Sequence, residues 1–209
     1  MAVPEVAVVV LAAGASWRFG RPKQLLPYGG RTLLRYVVEQ AVAASVGPVV
    51  VVLGAYAAQI GQGLTGAPVR IVLNHRWREG MASSVRAGVR AVIRTFPQVQ
   101  ALMVALGDQP LLSPHLLRQV VEAHDRLGAR VVACRYQDGA VGPPALFARP
   151  LWRQLLALRG DVGAKKVILA HMDEAFLLPF PEGMVDIDTE ADWQAFLSAH
   201  PHHQADSDP

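Results

Sequence analysis

The sequence predicts an α/β fold built around a doubly wound, mostly parallel β-sheet. Short apolar runs rich in β-branched residues recur along the first two thirds of the chain, at residues 6–11, 49–53, 69–73, 102–106 and 131–134. Segments with helical spacing of apolar residues lie between most of these runs. Strands that alternate with helices in this way form right-handed βαβ units. The continuous apolar character of the runs is typical of strands buried on both faces of a sheet.

The helices are predicted from the spacing of their apolar residues and from their capping residues. Between the first two runs, apolar residues repeat at helical spacing at Leu33, Leu34, Val37, Val38, Ala41 and Val42. A second helix is expected over residues 81–94. A third begins after Ser113, an N-cap serine that is followed by Pro114 at the first helical position.

The pattern changes in the last third of the chain. Pro143 and Pro144 are expected to stiffen a connector, and residues 151–158 have the pattern of a helix. Asp161 and Thr189 are each expected to cap a further helix.

The composition is that of one globular domain. Hydrophobic residues make up 52% of the 209 residues and charged residues 18%, which excludes disordered and fibrous classes. We expect a single domain over residues 1–199 and a flexible tail over residues 200–209. The net charge of +3 comes without a basic block that would bind nucleic acid. The longest apolar stretches, about ten residues, are half the length of a membrane-spanning helix. The single Cys134 excludes a disulfide framework and indicates a reducing, cytoplasmic setting.

The turn after the first strand is a candidate anion-binding loop. Small residues let its backbone approach an anion, and Arg18, Arg21 and Lys23 supply charge where a polyphosphate would lie. The carboxyl end of a strand is where open α/β sheets bind ligands. An ordinary loop with solvated arginines would have the same composition, so the residues alone leave both interpretations open.

Two common phosphate-binding motifs are excluded. Gly14 and Gly20 are separated by five residues and no Lys-Ser/Thr pair follows, so this turn is not a Walker A loop. Gly61, Gly63 and Gly66 have the spacing of the dinucleotide fingerprint, but a strand follows them rather than precedes them. That order favours a glycine-rich turn.

Several polar residues lie at strand ends or helix starts, where they would face a ligand. Asp108 directly follows an apolar strand, and Mg²⁺ takes one or two carboxylates together with substrate phosphates. Asp186 and Asp188 lie on one edge of an extended segment. Asn74 and Ser84 border a predicted strand and helix. Turn formation and helix capping explain these residues equally well, so the pattern leaves both roles open.

Taken together, these residues resemble a known family. Residues 11–23 are similar to the signature L-A-A/G-G-x-S-x-R-M/F-G-x-x-K of nucleotidyltransferases related to the molybdenum cofactor guanylyl- and cytidylyltransferases, the molybdopterin-guanine dinucleotide synthase-like enzymes. Further family segments follow in the same order, so that the resemblance spans residues 6–197. Ala13 and Gln109 resemble the cytidylyltransferase branch. The resemblance implies a Rossmann-like nucleotidyltransferase fold of the nucleotide-diphospho-sugar transferase type.

The resemblance also implies an activity and the residues that perform it. The enzyme would transfer CMP from CTP to the terminal phosphate of molybdenum-molybdopterin and release pyrophosphate, with a molybdoenzyme as its client. Lys23, Arg18 and Asp108 are the expected catalytic residues, and Mg²⁺ is expected on Asp108 with Asp186 or Asp188. The expected nucleotide-binding residues are Leu11, Ala12, Ala13, Gly14, Ala15, Ser16, Lys23, Asn74, Ser84 and Asp108.

Two departures from the family pattern keep other functions open. Pro143 stands where the branch has histidine, and Lys165 replaces an arginine. One alternative is a nucleotidyltransferase that acts on a sugar phosphate or another alcohol phosphate. Another is a non-catalytic maturation protein that holds the pterin cofactor. The presence of Lys23, Asp108 and Asp186 favours catalysis over that last alternative.

Overall fold

A computed structural model describes residues 6–184 and 187–200 of the chain. Its strands are β1 (Val6–Ala12), β2 (Pro27–Tyr28), β3 (Arg31–Thr32), β4 (Val49–Leu53), β5 (Arg70–Leu73), β6 (Ala101–Leu106), β7 (Val131–Arg135), β8 (Val141–Ala148) and β9 (Phe176–Pro179). Strands β2 and β3 form a small hairpin, and the others form one sheet in the order β5-β4-β1-β6-β8-β7-β9. Strand β8 runs antiparallel to β6 and β7, whereas the remaining neighbours pair in parallel. The predicted mostly parallel sheet is confirmed.

Helices cover both faces of this sheet. They are α1 (Leu33–Ala43), α2 (Ala57–Gln62), α3 (Met81–Thr95), α4 (Pro114–Leu127), α5 (Trp152–Ala157), α6 (Lys165–Ala170) and α7 (Glu190–Ala199). The sheet has a hydrophobic core on each face, and alternate residues of β1 belong to one core or the other. Val8 and Val10 pack with α1, α4 and α7, whereas Val9 and Leu11 pack with α3, α5 and α6. Among the described residues, no helix has the length and apolar character needed to cross a bilayer.

Two of the predicted helix starts are confirmed by their hydrogen bonds. The Ser113 hydroxyl accepts a hydrogen bond from the Leu116 N–H at 3.2 Å, and Pro114 takes the first helical position of α4. At α7 the Thr189 hydroxyl accepts from the Asp192 N–H at 3.2 Å, and the Asp192 carboxylate accepts from the Thr189 N–H at 2.7 Å. This reciprocal capping box satisfies two donors that the first turn of a helix leaves without partners.

The prediction that Pro143 and Pro144 stiffen a connector is wrong, because both lie inside β8. The pairing of β7 with β8 shifts register between Val132 and Cys134, opposite the two prolines. Proline donates no hydrogen bond to a sheet and is tolerated at such irregularities. The prolines therefore mark a break in the strand pairing rather than a loop.

The role expected of Asp161 is also corrected. Helix α6 begins after Ala164, which makes no side-chain cap, whereas the Asp161 carboxylate accepts a hydrogen bond from the Met81 N–H at 3.4 Å. Asp161 thus contacts the start of α3, 80 residues earlier in the chain. A capping residue satisfies whichever free N–H lies near it in space, and the sequence does not show that proximity.

The apolar run at residues 69–73 does not form a strand buried on both faces. Strand β5 lies at the edge of the sheet, and its residues Ile71 and Leu73 are exposed. An edge strand has a neighbour on one side only, so an apolar run does not by itself distinguish it from a central strand.

The packing of α3 on β1 predicts the effect of a substitution at Gly88. A Cβ atom there would overlap Cγ1 of Val9, whereas a Cβ at the helical Gly61 would meet only Cδ1 of Leu53 at 3.8 Å. Alanine gains about 1 kcal/mol of helix propensity at either position, but overpacking at Gly88 costs about 1–3 kcal/mol. We expect urea denaturation to give G88A a free energy of unfolding about 1–3 kcal/mol below that of the matched control G61A. Equal values would contradict the close packing.

Candidate active site

A cavity of about 820 Å³ opens where β1 and β6 end. These strands are parallel neighbours, so their carboxyl ends lie at the same edge of the sheet, where open α/β folds bind ligands. The cavity walls are residues 11–17, 23–24, 77–81 and 106–108, together with Ser84 and Asp161. Of the predicted nucleotide-binding residues, all except Asn74 line this cavity.

The loop after β1 is held in shape by hydrogen bonds around Ser16. The Ser16 carbonyl accepts from the N–H groups of Phe19 at 3.0 Å and Gly20 at 3.2 Å, and its hydroxyl accepts from the Lys23 N–H at 3.2 Å. Ser16 has a φ of 52°, in the left-handed region that residues other than glycine rarely adopt. Phe19 is buried and anchors the loop to the core. These contacts within the loop and to the core hold it in this conformation.

Gln24 is a site residue that the sequence analysis missed. Its side chain is buried, and its amide nitrogen donates to the carbonyls of Ala12 at 3.4 Å and Gly14 at 3.1 Å. These hydrogen bonds tie the end of β1 and the start of the loop to Gln24. Among the described residues, its own Oε1 atom has no hydrogen-bond partner. Its position directly after Lys23 was the only signal in the sequence.

The cationic side chains of the loop pair with acids at the start of α7. Lys23 Nζ lies 2.9 Å from one carboxylate oxygen of Asp188, and Arg18 Nη1 lies 2.6 Å from the other. Arg21 pairs with Glu190 at 2.6 Å. Hydrogen bonds from Lys23 and then Arg18 hold the pKa of the Asp188 carboxyl below its usual value. Arg18 and Asp188 lie outside the cavity wall, whereas Lys23 is part of it.

Only part of the predicted metal set falls within the described structure. Asp108 lines the cavity, Asp188 is engaged by two cations, and Asp186 lies outside the described residues. Asp108 is held beside the loop because the preceding Gly107 N–H donates to the Leu11 carbonyl at 2.9 Å. Within residues 6–184 and 187–200, no cluster of three or more His, Cys, Asp or Glu side chains could hold a metal ion by itself.

Gln109 connects this edge of the sheet to β8. It is buried, and its amide nitrogen donates to the carbonyls of Pro143 and Gly183, each at 3.2 Å. It also donates to the Tyr136 hydroxyl at 3.4 Å, and that hydroxyl in turn donates to the Pro143 carbonyl at 2.5 Å. Burial raises the pKa of Tyr136, so the phenol stays protonated. Gln109 thus braces the segment that follows Asp108.

Asn74 holds the start of α3 rather than lining the cavity. Its amide nitrogen donates to the hydroxyls of Ser83 at 2.8 Å and Ser84 at 3.0 Å, and its Oδ1 accepts from the Arg76 N–H at 3.0 Å. Ser84 itself borders the cavity. The structure therefore supports a positioning role for Asn74 through Ser84.

Comparison with known sequences identifies relatives of three kinds. The "Probable molybdenum cofactor guanylyltransferase" of Mycobacterium avium (strain 104) is 30% identical over 204 residues, which cover 93% of this chain and 96% of that protein. The "Nicotine blue oxidoreductase" of Paenarthrobacter nicotinovorans is 42% identical over 123 residues, which cover 58% of each protein. The chain thus spans less than two thirds of the Paenarthrobacter protein, and it spans 27% of the "Bifunctional protein GlmU" of Sorangium cellulosum.

Solved structures share the fold over nearly the whole chain. Rv0371c from Mycobacterium tuberculosis H37Rv superposes with a TM-score of 0.81 and 32% identity, covering 95% of this chain and 100% of that one. A crystal structure of Rv0371c in complex with manganese gives a TM-score of 0.77 and 30% identity, covering 93% and 99%. Residues 8–175 match a family described as the MobA-like NTP transferase domain. This match covers most of the chain, and we conclude that the protein belongs to the family of MobA-like NTP transferase domains.

Proposed function

We propose that the protein is a metal-dependent nucleotidyltransferase that transfers CMP from CTP to the terminal phosphate of molybdenum-molybdopterin. The observation that carries the proposal is that the Gly14 loop, Lys23 and Asp108 line a single cavity at the carboxyl ends of two parallel strands. The loop and Lys23 suit a polyphosphate, and the carboxylate suits a hard cation. Family membership supports nucleotidyl transfer, and the mycobacterial relative supports an acceptor of the molybdenum cofactor type.

The reaction exchanges one phosphoanhydride bond for another. A phosphate oxygen of the acceptor forms a bond to the α-phosphorus of CTP, while the bond from that phosphorus to the oxygen bridging the β-phosphate breaks. The bonding electrons leave with pyrophosphate. Such a reaction is accelerated mainly by positioning and by neutralisation of charge. Lys23 would bind and neutralise the phosphates, and the backbone N–H groups of the loop would orient them.

The described residues fit a divalent cation held jointly with the substrate. Asp108 lines the cavity and provides carboxylate oxygens, and the remaining ligands would come from substrate phosphates and water. Asp186 and Asp188 are proposed as further ligands, for which Asp188 would exchange its contacts with Lys23 and Arg18. When bound, the cation supplies charge neutralisation at the reacting phosphates. The manganese complex of Rv0371c supports a metal in this family, and we propose Mg²⁺ here.

The relatives support alternatives to CTP and to the acceptor. The relative named a guanylyltransferase supports GTP as the nucleotide, with the same cavity and the same chemistry. A sugar phosphate or another alcohol phosphate would place different atoms beside the same loop, and a non-catalytic maturation protein would bind the pterin without turnover. The 42% identity to the Paenarthrobacter protein supports an oxidoreductase as a second candidate function.

The first prediction concerns the choice of nucleotide. With Mg²⁺ and molybdenum-loaded molybdopterin, we expect pyrophosphate release with CTP to exceed that with GTP, ATP and UTP. Turnover selective for GTP would replace the nucleotide and retain the reaction. Binding of CTP without turnover would contradict the proposed acceptor. If no nucleotide were bound and none released pyrophosphate, the proposed function would be contradicted.

Lys23→Ala tests the phosphate-binding role of the loop. Because removal of a stabiliser of developing charge costs about 10²- to 10³-fold in turnover, we expect a loss of that size in steady-state pyrophosphate release. The matched control is Lys166→Ala, since Lys166 is exposed on α6 and does not line the cavity. A loss below about threefold in a folded Lys23→Ala protein would be far smaller than the expected effect and would argue against the role.

Asp108→Asn tests the metal role. The amide keeps the shape of the side chain but removes its charge, so we expect metal-dependent turnover to be lost while CTP binding is partly retained. Asp125→Asn, on the exposed surface of α4, is the matched control. Calorimetric titration with CTP, with and without Mg²⁺, separates nucleotide binding from metal binding. Full activity of the Asp108→Asn protein would refute the assignment.

A further inference from the structure

Trp17 is an exposed tryptophan in a loop that is otherwise well anchored. It follows Ser16 directly, its side chain lines the cavity, and 75% of its surface is exposed. A large apolar ring is stabilised by burial, so a flat ligand that covered this exposed ring would gain that stabilisation.

The ring of Trp17 is not isolated within the cavity. Its centroid lies 6.4 Å from that of Trp77, with an angle of 35° between the two planes. The guanidinium of Arg78 lies 4.6 Å from the centroid of Trp77. All three side chains line the same cavity, so flat groups form one part of its wall.

This part of the wall is braced from beneath. Trp77 belongs to a short 3₁₀ turn that ends at Glu79, and the Glu79 carboxylate pairs with the buried Arg86 at 3.0 Å. Arg86 also donates to the carbonyl of Leu158 at 2.6 Å. A buried arginine costs free energy unless it is paired, so it holds the turn in one position.

The approach of the turn to the loop depends on a glycine. A Cβ atom at Gly54 would lie 2.6 Å from Cβ of Trp77 and 2.7 Å from the Ala13 carbonyl. The absence of a side chain at Gly54 thus allows Trp77 to pack against the end of β1, beside the loop that bears Trp17.

We propose that Trp17 and Trp77 form an aromatic platform on which the flat heteroaromatic ring of a substrate stacks. This proposal rests on the proposed function and extends it. The phosphates would lie at the Gly14 loop and Lys23, and the ring would lie at the platform in the same cavity. Stacking on aromatic side chains tolerates any ring with a π-face, so the platform selects flat rings as a class.

Polar groups near the platform suit the edge of such a ring. Ser84, Glu79 and Asp161 all line the cavity, and oxygen atoms of these types can accept hydrogen bonds from ring N–H or amino groups. Two substrates would bring a flat ring here: the base of the nucleoside triphosphate or the fused ring of the acceptor. The chemistry of recognition is the same for both, and binding experiments separate them.

The test compares ligands with and without a ring in three variants. Trp17→Ala removes the exposed ring, Trp17→Phe retains an aromatic face, and Leu127→Ala is a matched control for the loss of an exposed apolar side chain away from the cavity. The probes are tripolyphosphate, CTP and GTP, each with Mn²⁺, and unphosphorylated pterin and cytidine. Binding is measured by calorimetry and by quenching of tryptophan fluorescence.

If the base stacks on the platform, Trp17→Ala weakens CTP or GTP binding by about 5- to 150-fold. Tripolyphosphate binding stays unchanged, and Trp17→Phe restores most of the nucleotide affinity. If the acceptor ring stacks there, nucleotide binding is unchanged but pterin binding falls by a similar factor. Equal affinities of the wild-type and Trp17→Ala proteins for all ringed probes would overturn the platform.

The proposed function fails in a different way. If the wild-type protein does not bind tripolyphosphate, the phosphate role of the loop is lost, but cytidine and pterin still test the platform. A calorimetric affinity for either compound that falls in Trp17→Ala would support the platform under those conditions. An unchanged calorimetric affinity in that variant would refute it.

Discussion

The parallel pairing of β1 with β6 is the constraint on which the site depends. Leu11 and Leu106 are partners in the register, so both strands end at the same level. The Gly107 N–H donates to the Leu11 carbonyl at 2.9 Å and extends the pairing by one residue beyond the strand. A Cβ at Gly107 would lie 2.7 Å from Cδ1 of Leu34 and 3.0 Å from Cβ of Ala12, so the absence of a side chain leaves room for this close packing. This geometry brings a cationic loop and the carboxylate of Asp108 to one cavity.

Acidic residues near the carboxyl end of the chain form ion pairs with the cationic side chains of the loop. Asp188 accepts from Lys23 and Arg18, and its own backbone N–H donates to the Asp192 carboxylate at 3.1 Å. Asp192 also closes the capping box with Thr189 at the start of α7. The helix cap therefore fixes the backbone that carries the counterion. An anionic substrate would compete with Asp188 for the same cations, which would couple the start of α7 to the part of the cavity that Lys23 lines.

The cavity combines two surfaces with different chemistry. One is the cationic loop with Lys23 and Gln24, and the other is the aromatic wall of Trp17 and Trp77. Each is supported by a buried polar side chain, Gln24 beneath the loop and Arg86 beneath the 3₁₀ turn. Burial of such groups costs free energy unless they are paired, so these contacts hold the two surfaces in place. The proposed substrate, with a polyphosphate and a flat ring, would contact both.

The sequence by itself determined the features that depend on local chemistry: the apolar strands, the caps at Ser113 and Thr189, and the composition of the loop after β1. It did not determine contacts between distant residues. The placement of Pro143 in a central antiparallel strand, the bond from Met81 to Asp161, and the pairs that Asp188 makes were decided by the tertiary structure. The physical reason is that periodicity and capping act over a few residues, whereas Lys23 and Asp188 are 165 residues apart and meet only because the sheet and its crossovers bring them together.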